Sequence, residues 1–158
     1  MIDLTDGLKL SLWVQGHPRT KGSLKCMGKR GKIKHLLVED HPLSAPWRTR
    51  MNNAIVREVR AAYPGRWTPY AGPVLVDAVF YFERIGPTAL VSPWPTINSG
   101  VNANGDEDKL RRNVLDALEG SGLISDDCNV IGNVTAGPRK RWAAPGLPAG
   151  VQIEVVSL

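Results

Sequence analysis

Cysteine is scarce in this 158-residue chain. Its two copies, Cys26 and Cys128, cannot build the disulfide framework that staples small secreted domains, so two reduced thiols are expected. Histidine is nearly as rare, and Cys26, His35, His41 and Cys128 fit no compact zinc-ligand spacing. No apolar run approaches the roughly 18 residues of a membrane-spanning helix, so no membrane partner is expected. The opening, Met1 to Asp6, has no basic segment leading into an apolar one, which predicts a cytoplasmic location. Internal repeats and low-complexity tracts are also missing, which excludes a repeat array.

What remains is the composition of an ordinary soluble domain, with 42% apolar and 22% charged residues. A chain of this length buries roughly two-thirds of its unfolded surface, enough for a core without a metal or disulfide staple. Neither Pro69–Gly72 nor Pro145–Gly150 is long enough to divide it, so residues 1–158 are expected to form one domain.

The net charge of +5 hides an asymmetry. Residues 1–70 carry 13 Lys/Arg against 5 Asp/Glu, whereas residues 71–138 carry 4 against 9. A basic half attracts a polyanion, and an acidic patch beside it repels that polyanion unless the patch binds cations. A solvated surface gives the same totals. The cations concentrate in Arg19, Lys21, Lys25, Lys29, Arg30, Lys32 and Lys34, with Gly22, Gly28 and Gly31 among them. That spacing reads as a loop or irregular hairpin able to follow a phosphate backbone, or as a solvated loop.

Alternation over Leu8–Val14 predicts a first strand, and Ile33–Val38 a short one. Trp47, Met51, Ile55 and Val59 recur every fourth residue and mark an amphipathic helix stopped by Pro64-Gly65. The β-branched and aromatic run Pro73–Phe82 reads as a central strand. Gly86–Gly105 reads as a long exposed loop, Asp106–Glu119 as a second helix, and short strands are expected near Leu123, over Asn129–Ala136 and over Val151–Val156. The expected architecture is α+β, a mixed β-sheet with two main helices packed on it. The five tryptophans, Trp13, Trp47, Trp67, Trp94 and Trp142, are read chiefly as core or interface residues, with Trp94 and Trp142 close to loops.

The second helix carries the acids. At 100° per residue, Leu110, Val114, Ala117 and Leu118 fall within about 100° of one another as a core stripe. Asp108 and Arg112 lie about opposite, one turn apart. An exposed ion pair has the same spacing, and acids in a first helical turn are favoured by the macrodipole. A second pair, Asp126-Asp127, follows the helix. If the chain doubles back as a strand, Asp127 approaches Asp106 and Asp108, and three or four carboxylates converge. Such hard oxygen donors suit Mg²⁺ or Mn²⁺, which keep waters and bridge to phosphate. A structural Ca²⁺ site is an alternative, although no EF-hand loop is present.

The run Asp106-Glu107-Asp108-Lys109-Leu110, Arg112, Leu115-Asp116-Ala117-Leu118, Gly122, Asp126-Asp127 and Val130 resembles the RusA family of Holliday-junction resolvases, whose signature is D-x-D-[NK]-L, a later basic residue, D-A-L, a glycine and D-D before a strand. Gly16-His17-Pro18-Arg19-Thr20-Lys21-Gly22 is similar to the N-terminal loop of phage-type members. The resemblance implies a Mg²⁺-dependent endodeoxyribonuclease that acts on branched DNA as a homodimer. Carried over by position, Asp106, Asp108 and Asp127 are the catalytic metal-binding acids, with Asp126 beside them. Arg112 stands where the best-known member has a catalytic lysine, and Lys109 where it has asparagine. Glu107 replaces an apolar residue, and the aromatic wedge before the D-x-D motif is missing.

On this reading a metal-activated water hydrolyses the phosphodiester, and Arg112 and Lys109 stabilise transition-state charge. Lys21, Lys25, Lys29 and Arg30 hold the DNA backbone, with Lys109, Arg139, Lys140 and Arg141 as further contacts. The rival reading is a non-catalytic branched-DNA-binding or replication-accessory protein that keeps the acids for structure alone.

Overall fold

The computed structural model describes residues 7–29, 31–32, 37–39, 41–100 and 102–158. Strand β1, Lys9–Gln15, alternates as its sequence predicts, turning Leu10, Leu12 and Val14 inward. Strands β2, Leu24–Cys26, and β3, Leu37–Glu39, form a separate antiparallel pair in the basic segment. Arg30 and residues 33–36 of the expected Ile33–Val38 strand, Lys34 and His35 among them, lie outside the described residues. Helix α1, Ser44–Ala62, buries Trp47, Met51, Ile55 and Val59 on one stripe. It stops where the Tyr63 amide donates to the Val59 carbonyl, just before Pro64.

Strand β4, Val74–Phe82, is the central strand. Helix α2, Pro87–Val91, interrupts the stretch expected to be an uninterrupted loop, with Pro87 fixing the first turn. Helix α3, Glu107–Gly120, then leads to strands β5, Val130–Gly132, β6, Lys140–Trp142, and β7, Gly150–Ser157. The sheet order is β1-β7-β4-β5, and β6 also pairs with β4. β7 is antiparallel to β1 and β4, whereas β5 and β6 are both parallel to β4. They share one β4 edge: β5 sits at Val74–Leu75 and β6 at Phe80–Phe82. α1 and α3 pack on each other, and their apolar stripes meet Val76, Ala78, Phe80, Val151 and Ile153 in one core. The fold is thus α+β, with a mixed sheet and two main helices against it. Among the described residues no helix is long and apolar enough to cross a membrane.

Asp77 lies at the gap between β5 and β6. Its side chain is only 7% exposed and pairs at 3.2 Å with Arg139, itself 10% exposed. One carboxylate oxygen accepts from the Val134 amide at 2.9 Å, and the other from the Thr135 amide at 3.0 Å and hydroxyl at 2.6 Å. The Arg139 guanidinium also donates to the Thr135 carbonyl. The strand expected over Asn129–Ala136 ends at Gly132 for this reason: a side chain, not a ladder partner, takes the next amides. The strand expected near Leu123 is a single bridge between Tyr70 and Ile124.

Burial pushes the Asp77 carboxyl up, but the Thr135 and Val134 hydrogen bonds and the Arg139 charge outweigh it and hold the group below its ordinary range. Its stabilising contribution is therefore complete above the unfolded pKa of about 4 and is lost as pH falls through the lower folded value. Asp77→Ala strands a buried guanidinium and should lower the urea unfolding free energy at pH 7 by about 3–5 kcal/mol. The gap to wild type should narrow as the pH drops below about 4; a gap that stays constant into acid contradicts this account.

Candidate functional site

Asp106 and Asp108 sit where α3 begins. Gly105 makes the turn into the helix at φ +70°, a conformation that favours glycine, and a side chain there would run into the Thr20 methyl. Asp106 follows in extended geometry, and its carbonyl accepts from the Leu110 amide at 3.0 Å. Its carboxylate makes no cap hydrogen bond and instead meets the Lys109 ammonium at 2.8 Å. Glu107 and Asp108 complete an exposed, acidic first turn, and Arg112 lies exposed one turn after Asp108.

Three elements hold this helix start in place. The N-terminal loop docks through the Lys21 amide, which donates to the Lys109 carbonyl at 3.1 Å. His17 contacts the Ala103 carbonyl at 3.2 Å and packs edge-on against Phe82. Burial lowers its pKa despite the Ala103 hydrogen bond, so the ring is neutral at pH 7 and serves as a strut. Lys140 reaches over from β6 and donates to the Gly105 carbonyl at 2.8 Å. The third element is Asn113, fully buried on α3. Its amide nitrogen donates to the Arg19 carbonyl at 2.9 Å and the Ser44 hydroxyl at 3.0 Å, while its oxygen accepts from Arg48 at 2.9 Å. Asn113 therefore ties α3 to the N-terminal loop and to α1. Sequence reasoning passed over it, although a polar residue flanking an apolar helical stripe was the available signal.

The hydrogen bond and charge of Lys109, with the charge of Lys140 added, hold the Asp106 carboxyl below its usual range. Asp106 in turn raises Lys109. Burial lowers Lys140, against the opposing pull of Asp106 and Glu107. The helix start is thus an ionised carboxylate site with cations on two sides.

Asp127 is not part of it. The chain turns at Gly122 immediately after α3, with the Leu123 amide on the Leu118 carbonyl. Asp126 then accepts from the Cys128 amide at 2.8 Å and caps a 3-10 turn over Asp127–Asn129. That bond lowers the Asp126 carboxyl, and the charge of Glu119, at the C-terminal end of α3, reaches Cys128. Asp126 and Asp127 therefore lie at one end of a 14-residue helix and Asp106 and Asp108 at the other, separated by roughly 20 Å of helix rise. The expected convergence fails within one chain because the return path runs along β4 from its start to its end. The residue it delivers to Asp106 is Lys140. Among the described residues no three His, Cys, Asp or Glu side chains are grouped to hold a metal ion.

The expected DNA contacts divide. Lys25 lies on β2, and Lys25, Lys29, Lys109 and Arg141 are exposed, while Arg30 lies outside the described residues. Lys21 pairs with Asp116 at 2.6 Å, where Arg48 also reaches at 3.6 Å. Arg139 is held inside by Asp77 and does not present a surface cation. No family model and no curated protein matches the chain.

Asn113→Ala removes the tie between α3, the loop and α1. It should cost about 1–3 kcal/mol, since the buried Ser44 and the half-buried Arg48 and Arg19 carbonyl lose their bonds to it. Hydrogen exchange should quicken at the amides of residues 19–21 more than in β7; uniform protection throughout would show that Asn113 does not anchor the loop.

Proposed function

We propose that the protein is a RusA-like, divalent-metal-dependent endodeoxyribonuclease that cuts branched DNA as a homodimer. The observation that carries this reading is the exposed Asp106/Asp108 pair at the start of α3, flanked by Lys109, Arg112 and Lys140. Mg²⁺ is commonly held by one or two carboxylates, with waters and phosphate oxygens filling its remaining positions, and this donor set suits it. Mn²⁺ is a suitable substitute. When bound, the ion would activate water and neutralise charge on the phosphoryl oxygens.

The side chains supply the rest. Lys109 and Lys140 keep Asp106 ionised, which is the form a cation needs. Arg112 offers a fork of donors to a phosphate on the Asp108 side. Lys25 and Lys29 carry the phosphate contacts farther from the cut, where they add affinity without sequence preference. If Asp127 contributes a ligand, it does so from a second copy, because the length of α3 separates it from the pair in its own chain. A two-fold dimer can supply such a residue reciprocally, giving two sites for two strands.

The separation of the acid pairs also favours a second reading, a branched-DNA-binding accessory protein without nuclease activity. A labelled four-way junction and a matched duplex, incubated with Mg²⁺, Mn²⁺ or EDTA, distinguish the two. Paired, metal-dependent nicking of the junction is expected, with Asp108→Asn reducing it about a hundredfold or more. Mixed Asp108→Asn and Asp127→Asn subunits should recover part of the activity if the site is shared. Junction binding without cleavage under every metal selects the accessory protein.

A further inference from the structure

We infer that the sheet face turned away from the helices carries a stacking cleft for an unpaired nucleotide of a nucleic-acid strand. The cleft, about 640 Å³, lies between Trp13 on β1 and the loop after β6. Trp13, read with the other tryptophans as a core or interface residue, is instead 40% exposed on the face that the alternation of β1 turns away from Leu10, Leu12 and Val14, and its ring meets Tyr81 edge-to-face at 5.7 Å. Gly150 makes this possible: a side chain at that position would occupy the space of the indole, so the ring lies over bare β7 backbone. Leu147, 61% exposed, and Pro148 form the far wall.

The lining identifies the occupant. Three aromatic residues, Trp13, Tyr81 and Trp142, and an aliphatic wall offer flat apolar surface, which favours a planar ring system. Arg141 projects onto this face beside Tyr81, its partner across β6 and β4, and is the one charged group among the described lining residues. Gln152 adds an amide, which donates to Ser11 at 3.0 Å. An apolar slot with one cation and no acid complements a base joined to a phosphate, and every base presents such a face. A second copy of this chain would need to bring an anion to Arg141. The slot is separate from the acids, since α3 packs on the opposite face of the sheet. The inference therefore stands even if the chain is no nuclease.

A dodecamer of deoxythymidylate, its 12-bp duplex counterpart and thymidine monophosphate, titrated into the full chain while tryptophan emission is followed, test this. The single strand should quench emission saturably, and Trp13→Ala should weaken its binding about tenfold. Leu147→Glu, at an exposed position with no packing role in the core, should weaken it comparably, and Trp13→Phe should stay near wild type. Duplex binding should change little in any variant. Unchanged single-strand affinity in both Trp13→Ala and Leu147→Glu overturns the proposal. So does a monophosphate that binds as tightly as the dodecamer, or a concentration-dependent dimer that Leu147→Glu dissociates in the absence of DNA.

Discussion

A carboxylate inside the sheet organises much of this protein. Asp77 satisfies the amides and hydroxyl of a passing segment and anchors Arg139, and it does so from the middle of the central strand. A buried charge is costly to desolvate and persists only when its hydrogen bonds are complete. Here they are completed by one short segment, residues 134–139, which fixes how the chain leaves β5 and enters β6. The result is a β4 edge shared by two short parallel strands instead of one long one. Lys140 and Arg141 inherit their positions from that arrangement.

Those adjacent residues face opposite ways. Lys140 pairs in register with Phe80, on the core side, and reaches the turn before α3. Arg141 pairs with Tyr81 and stands on the other face of the sheet. One edge strand thus serves both the acidic helix start and the aromatic cleft. Its placement follows from packing, not from the chemistry of either site.

The legible part of the fold is the part with periodicity long enough to average out local exceptions. β1, α1, β4, α3 and β7 each bury a stripe or alternate face over seven residues or more, and the sequence pattern locates each closely. β2 and β6 span three residues, too few for a period to register, and the β6 partner, β4, is distant in sequence. α2 is a five-residue helix in a proline-containing stretch, set by its N-terminal geometry more than by any apolar stripe. The site divides the same way. The acidic first turn of α3 and the opposed placement of its core stripe are local properties of a helix and could be read directly. The position of Asp127 was not readable, because it depends on the direction of the chain after Gly122. The substitution of Lys140 for Asp127 at the helix start is a consequence of topology alone. Asp77 and Asn113 were visible as polar residues among apolar ones, but their partners lie 57 and 94 residues away in the chain.

The pairing of β1 with β7 has a consequence for how the protein comes into being. Ser11 and its register partner Glu154 belong to opposite ends of the described chain, and β7 is also the bridge between β1 and β4. At about 5–20 residues per second, the ribosome finishes β7 roughly 7–28 s after β1 has been made. Through that interval Leu10, Leu12 and Val14 have neither their strand partner nor a completed core to enter. Local helices can form early, but the sheet closes only once β7 has been synthesised, so the nascent chain exposes an apolar strand for most of its synthesis. Protection of that strand by a chaperone, or its early collapse against α1, is a requirement imposed by the strand order itself.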